Sequence, residues 1–187
     1  AAFGDDADAA RRLHAAFLDG KEYGSLTEPG VTLREVSALR HRMLTMHIFD
    51  PRTMKLDSLS DALDAVDALS PLVDAAEMLL QKYDVVATNP PYMGSSRFSP
   101  TLDRYIKGNY ADEKADLSMV MYRHAIDSFA RKDGFVAFIT TSSWMFLSSF
   151  EKLRKYAAST MAISSLVDYG TELFEGKVGH NPIVSWV

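Results

Sequence analysis

No cysteine occurs among the 187 residues, which excludes disulfides, zinc ribbons and thiol nucleophiles and fits a reducing cytoplasm. No apolar run approaches the roughly 20 residues that a membrane span requires. The opening AAFGDDADAA has neither the basic start nor the apolar centre of a signal peptide. A Gly-x-Gly turn is absent, the closest glycine pairs being Gly20/Gly24 and Gly176/Gly179. Gly-x-Ser-x-Gly elbows and Gly-Lys-Ser/Thr phosphate loops are absent too. His14, His41, His47, His124 and His180 show no metal-type spacing with carboxylates. Positive charge is also short: the net charge is −5, where a self-sufficient nucleic-acid binder presents a basic surface. The acidic excess lies mostly between Asp5 and Asp84, and segment 97–132 is close to balanced. Any grip on nucleic acid is local, or another part of a larger protein supplies it.

What is present is the composition of a soluble globular domain, 47% hydrophobic and 24% charged. Residues 1–82 read as mainly helical. The spacing predicts helices over Asp8–Leu18 and over Val31–His47, the second with Leu33, Val36, Leu39, Met43 and Leu44 on one face. Ser60 is expected to cap a helix carrying Leu63, Val66 and Leu69. Ser70-Pro71 then reads as a fresh N-cap with proline at the first helical position. The following face is Leu72, Val73, Ala76, Leu79 and Leu80. The texture changes at Tyr83. Val85–Thr88 reads as a short apolar strand, and FVAFITT, after an Asp133-Gly134 turn, as a fully apolar strand of the kind found inside parallel sheets. Residues 93–115 read as a long polar loop with one helical turn. Asp116 is placed to cap a helix burying Leu117, Val120, Met121, Ala125 and Phe129. Phe150–Ala158 reads as helix, and Leu166–Tyr169 and Ile183–Val187 as strands, the last running into the end of the sequence. Alternation of strand and helix predicts an α/β unit with a parallel sheet over 83–187, after the helical segment 1–82.

The stretch YDVVATNPPYMG carries the chemistry. Two prolines cannot continue a strand, so the chain must leave it in a stiff loop. An exocyclic amine on an aromatic base is a poor nucleophile because its lone pair is delocalised into the ring. Two acceptors around its two hydrogens pull it toward tetrahedral geometry. The side-chain oxygen of Asn89 and the carbonyl of Pro90 form such a pair, and Tyr92 can stack on the base, worth about 1–3 kcal/mol. That stacking offsets part of the few kcal/mol needed to extrude a base from a duplex. The competing reading is a plain structural turn, since Asn-Pro commonly opens one.

YDVVATNPPY resembles motif IV of S-adenosylmethionine-dependent amino-group methyltransferases, above all the adenine-N6 DNA methyltransferases. KADLSMVMYRHAIDSFARKDGFVAFITTSSWMFLSSFEKLRKYA is similar to the segment that follows in those enzymes. LFEGKVGHNPIVSWV is similar to their motif VIII. NPPYMGSS, KADL and SSWMFLSSFEKLR together look most like the large adenine-specific methyltransferases of phage-defence systems, the PglX type of BREX loci. The resemblance implies a partial Rossmann-like fold, S-adenosyl-L-methionine as cofactor and double-stranded DNA as partner, with other defence-system subunits as further partners and no membrane. It implies that Asn89 and the Pro90 carbonyl hold the target amine, Pro91 stiffens the loop, and Tyr92 stacks with Phe174 as a second aromatic. Leu117 and Met121 fall where the family lines the cofactor's adenine, although plain core packing is the competing reading for both. Trp144 and Phe146 are expected in the core, not on the base.

The glycine-rich cofactor turn of such enzymes has no counterpart here, and Asp19 and Asp50 are the acidic residues left as ribose contacts. The expectation is an internal piece of a larger enzyme, inactive alone, with the cofactor half upstream and a target-recognition domain downstream. Two alternatives stay open. The same loop occurs in methyltransferases for RNA bases and for protein glutamine, and a non-catalytic DNA-binding or assembly subunit would also lack the glycine turn.

Overall fold

A computed structural model describes residues 3, 6–46, 56–171, 173 and 182–187. The chain divides into two compact units, Ala1–Gln81 and Lys82–Val187. The first is helical: α1 (Ala7–Ala16), the short α2 (Gly20–Tyr23), α3 (Leu33–Met46) and α4 (Leu56–Leu80). Leu13 of α1, Val36, Leu39 and Met43 of α3, and Val66, Leu69, Val73 and Ala76 of α4 close one core. Leu33 and Leu44, expected on the same face as Val36, are exposed; the buried stripe of α3 is narrower than the apolar pattern suggested.

The junction before α3 is a capping box. The Thr32 backbone N–H and hydroxyl both donate to Glu35 Oε2, at 2.7 and 2.9 Å, and Glu35 N–H donates back to Thr32 Oγ1 at 3.3 Å. Arg12 of α1 pairs with the other Glu35 oxygen. These contacts, the Thr32 backbone N–H first and Arg12 next, hold the Glu35 carboxyl down at about 2. Ser60 and Ser70 cap nothing, because α4 runs unbroken from Leu56 to Leu80 with Pro71 inside it. Ala62, Val66, Leu69, Val73 and Ala76 form one continuous buried stripe, which holds the helix across the proline while Pro71 faces outward.

The second unit is mixed α/β. Its strands are β1 (Tyr83–Thr88), β2 (Ala130–Thr141), β3 (Leu166–Gly170) and β4 (Ile183–Trp186), in the order β1-β2-β4-β3. Among the described residues only β1 and β2 pair in parallel; β4 lies antiparallel to both β2 and β3, so the expected parallel sheet is a mixed one. The crossover from β1 to β2 carries α5 (Pro100–Asn109) and α6 (Leu117–His124), the latter followed by a π-turn at Ala125–Phe129. The path from β2 to β3 carries α7 (Ser143–Phe146) and α8 (Glu151–Thr160).

The sequence had 93–115 as loop, yet α5 is ten residues long. Ser99 Oγ caps it by accepting from Leu102 N–H at 3.2 Å, Pro100 sits at its first position, and Leu102 and Ile106 are buried. Asp116 does cap α6, accepting from Ser118 N–H at 2.8 Å. The Asp133-Gly134 turn is instead a bulge inside β2. Between Tyr83↔Ala130 and Val85↔Phe135 the register slips, and Asp133 takes φ 65°. A Cβ on Gly134 would stand 3.0 Å from Asp84 O and 3.1 Å from Arg131 O, so a side chain there would force the backbone to give by a few tenths of an ångström.

Val136, Phe138, Val184 and Trp186 bury one sheet face against Met119 and Tyr122 of α6 and Leu153 and Ala157 of α8. Trp186 lies between two rings, stacked on Trp144 at 4.1 Å and 20° and against Tyr122 at 3.9 Å. Its indole N–H donates to Thr140 Oγ1 at 3.1 Å. Trp144 is buried as expected, whereas Phe146, placed in the core by the sequence, is 73% exposed. Among the described residues no helix is long and apolar enough to cross a membrane, and no cluster of three or more metal-ligating side chains occurs.

Candidate active site

Parallel pairing of β1 with β2 puts Thr88 opposite Phe138, so the loops leaving both strands rise from the same sheet edge. Asn89 is the first residue past β1 and is exposed; Pro90 is buried and Pro91 exposed. Burial of one proline anchors the loop while its neighbour keeps the backbone stiff. The Tyr92 hydroxyl reaches back across the turn, donating to Asn89 Oδ1 at 2.6 Å, with Ile139 O of β2 at 3.3 Å. Asn89 Oδ1 has a second lone pair for an incoming N–H. Partial burial pushes the Tyr92 phenol above its ordinary value, so it stays a neutral donor.

The chain after Tyr92 is tied to the start of α6. Leu117 N–H donates to Met93 O at 2.9 Å, Ser95 N–H to Ala115 O at 3.1 Å, and Gly94 and Asp116 form an isolated antiparallel bridge. Asp116 thus serves twice, as helix cap and as the seat of the loop, a role the sequence reading missed although its capping pattern was visible. Leu117 is buried at this junction, and Met121, one turn on, is half-buried against the core of the sheet unit. Asn89, Pro90, Pro91 and Tyr92 are therefore one local constellation, and Leu117 joins it through Met93. Phe174 lies outside the described residues, as do Asp50, His47 and His180.

A polar cluster and a cavity also lie in this unit. Glu113 is buried with Oε1 lacking a hydrogen bond, Arg123 standing 3.6 Å away, and burial raises its carboxyl above the usual range. Arg123 itself is held by Asp127 at 2.6 Å and lies over the Tyr156 ring, so this cluster braces α6 against α8. A cavity of about 560 Å³ sits at the other end of β2, among Ile126, Gly134, Phe135, Met161 and Val187, and includes no residue of the Asn89 loop.

The family model of the Eco57I restriction-modification methylase matches residues 36–174, well over half of the chain. The chain is 30% identical over 164 residues to the adenine-specific methyltransferase BrxX of Escherichia coli O9:H4 (strain HS), covering 87% of this chain. It is 32% identical over 160 residues to the adenine-specific methyltransferase PglX of Lacticaseibacillus casei (strain Zhang), covering 85% of this chain. The matched region spans 13% of the length of each relative. A stiff Asn-Pro-Pro-Tyr loop on a strand end, inside a matched segment that runs from α3 past β3, places this chain in the Eco57I restriction-modification methylase family.

Proposed function

We propose that this chain is the target-base part of a DNA adenine-N6 methyltransferase of restriction-modification or phage-defence type. The observation that carries the reading is the Asn89 loop: an exposed carboxamide at a strand end, beside a buried proline, with a tyrosine bonded to its oxygen. Asn89 Oδ1 and the Pro90 carbonyl accept the two hydrogens of an extruded adenine amine. That binding draws the nitrogen out of conjugation, so its lone pair becomes available in the direction away from the acceptors. Tyr92 stacks on the base and, through its hydroxyl, keeps the carboxamide from turning. Positioning of this kind supplies rate without a covalent enzyme intermediate.

S-adenosyl-L-methionine supplies the methyl group as a sulfonium electrophile. The chain fits one edge of that cofactor. Met121, half-buried on α6, leaves part of its side chain to meet a purine ring, whereas Leu117 is buried and serves by seating the loop, and no Gly-x-Gly turn is present to approach the cofactor's ribose and amino-acid end. The remaining contacts belong to the rest of a Rossmann-like sheet contributed by the parent protein, in keeping with relatives whose lengths far exceed the matched 13%. The strands β1 and β2 are the motif-bearing part of that sheet.

Two measurements test the reading. Duplex DNA treated with the intact protein and the cofactor yields N6-methyladenine by nucleoside mass spectrometry, and Asn89→Ala removes it. Methyl transfer only to RNA or to glutamine, or undiminished product from Asn89→Ala, overturns it. Calorimetry of the 187-residue chain with S-adenosyl-L-methionine shows no binding; clear micromolar binding would mean the cofactor site is complete in this segment.

A further inference from the structure

We propose that the Phe146–Leu147 turn is an apolar wedge that enters a DNA duplex beside the Asn89 loop and helps to open it. The inference rests on the DNA substrate proposed above. Phe146 and Leu147 are 73% and 52% exposed, while Trp144 before them and Phe150 after them are buried. Two large apolar side chains are thus held out in water by a turn whose ends are fixed in the core. The turn is braced as well as anchored. Arg154 of α8 donates from one guanidinium nitrogen to Trp144 O at 2.7 Å and to Leu147 O at 2.8 Å. Leu147 N–H donates to Ser143 O at 3.0 Å, and Phe150 N–H to Leu147 O at 3.1 Å. A protrusion held this firmly is suited to pushing on something.

Its position says where. The turn leaves the end of β2, and Asn89 leaves the end of β1, its parallel neighbour. The surroundings say what. Ser148 and Ser149 are exposed, and Lys152 and Lys155 follow on the exposed side of α8. Their ion pairs with Asp112 and Glu151 are surface pairs, of the weak kind that a phosphate can displace. On the other loop Arg97 is exposed and pairs with no described carboxylate. Two side chains are far too small a patch for a stable protein interface. They match the single apolar wedges that part a base step, rimmed here by hydroxyls and cations for the backbone.

The test uses the intact protein with Phe146→Ala and Leu147→Ala combined, on two duplexes. One is fully matched; the other carries a mismatch opposite the target adenine, which lowers the cost of extruding it. Methylation of the matched duplex is expected to fall on the order of tenfold or more, and that of the mismatched duplex to stay within about threefold of the parent. Both side chains are exposed, so the thermal midpoint should not move. Equal loss on both duplexes, or no loss on either, overturns the wedge. If Asn89→Ala abolishes methylation while the double variant is unaffected, the wedge fails alone; if Asn89→Ala is active, the proposed function fails and the wedge with it.

Discussion

Replacing Tyr92 by phenylalanine and, separately, by alanine divides its ring from its hydroxyl. Phenylalanine removes the 2.6 Å bond to Asn89 Oδ1 and the longer approach to Ile139 O, and nothing else. A hydrogen bond contributes about 0.5–1.5 kcal/mol net, and the low end applies because Asn89 is exposed and water can replace the lost donor. At 1.4 kcal/mol per factor of ten, the expected loss in kcat/KM for methyl transfer is about two- to threefold. Alanine also removes the stacking surface, about 1–3 kcal/mol per base, which adds roughly five- to 150-fold. The assay is steady-state transfer of labelled methyl to duplex DNA by the intact protein, with both parameters resolved. Phenylalanine should act mainly on kcat if the hydroxyl orients the carboxamide at the reacting amine. Should the phenylalanine variant fall as far as the alanine variant, stacking is not what Tyr92 contributes. An alanine variant as active as the parent would remove Tyr92 from the site.

Pro71→Ala restores a backbone donor inside α4 at an exposed position; against a cost of about 3 kcal/mol for proline in a helix interior stands about 0.4–1 kcal/mol of lost unfolded-chain restriction. The helical unit should therefore gain about 2–2.5 kcal/mol in chemical denaturation, and destabilisation would show that the helix is broken at that residue. Glu35 should titrate near 2 by NMR. Its carboxyl is lowered from 4.5, so the stability it lends the start of α3 is present above that value and lost as pH falls through about 2; a titration near 4.5 would sink the capping-box account. Gly134→Ala pushes a Cβ against three backbone carbonyls and should cost roughly 1–3 kcal/mol in the sheet unit, read as a lowered thermal midpoint; an unchanged midpoint would mean that the bulge yields freely.

Ser-Pro occurs at two places that the local pattern cannot tell apart. At Ser99-Pro100 the serine caps and the proline opens a helix. At Ser70-Pro71 the same pair lies inside one, because Val66, Leu69, Val73 and Ala76 belong to a single buried stripe that local capping preference cannot outweigh. The helix α5 went unread because only Leu102 and Ile106 of it are buried, amid Gly108, Asn109 and charged residues. Strands β1 and β2 were legible from uninterrupted apolar runs, although the bulge lengthened β2 at its start. Strand direction was not legible: β4 inserts between β2 and β3, a choice made by pairing across the sheet and not by chain order. The Asn89 loop was readable because its residues are scarce combinations with few structural uses, whereas Phe146 was not, since an aromatic held in water looks in sequence like any core residue.

The chain has two tryptophans, Trp144 and Trp186, and they lie face to face at 4.1 Å in the sheet unit. Excitation is therefore shared between two indoles whose coupling survives only while β4 and the chain after β2 stay together. The helical unit has no indole at all. Emission and the exciton signal in circular dichroism report the integrity of residues 82–187 alone, while helical ellipticity draws on both units, with the larger share from α1, α3 and α4. The molecule carries its own two-channel optical gauge, able to tell melting of one unit from melting of the other without any label.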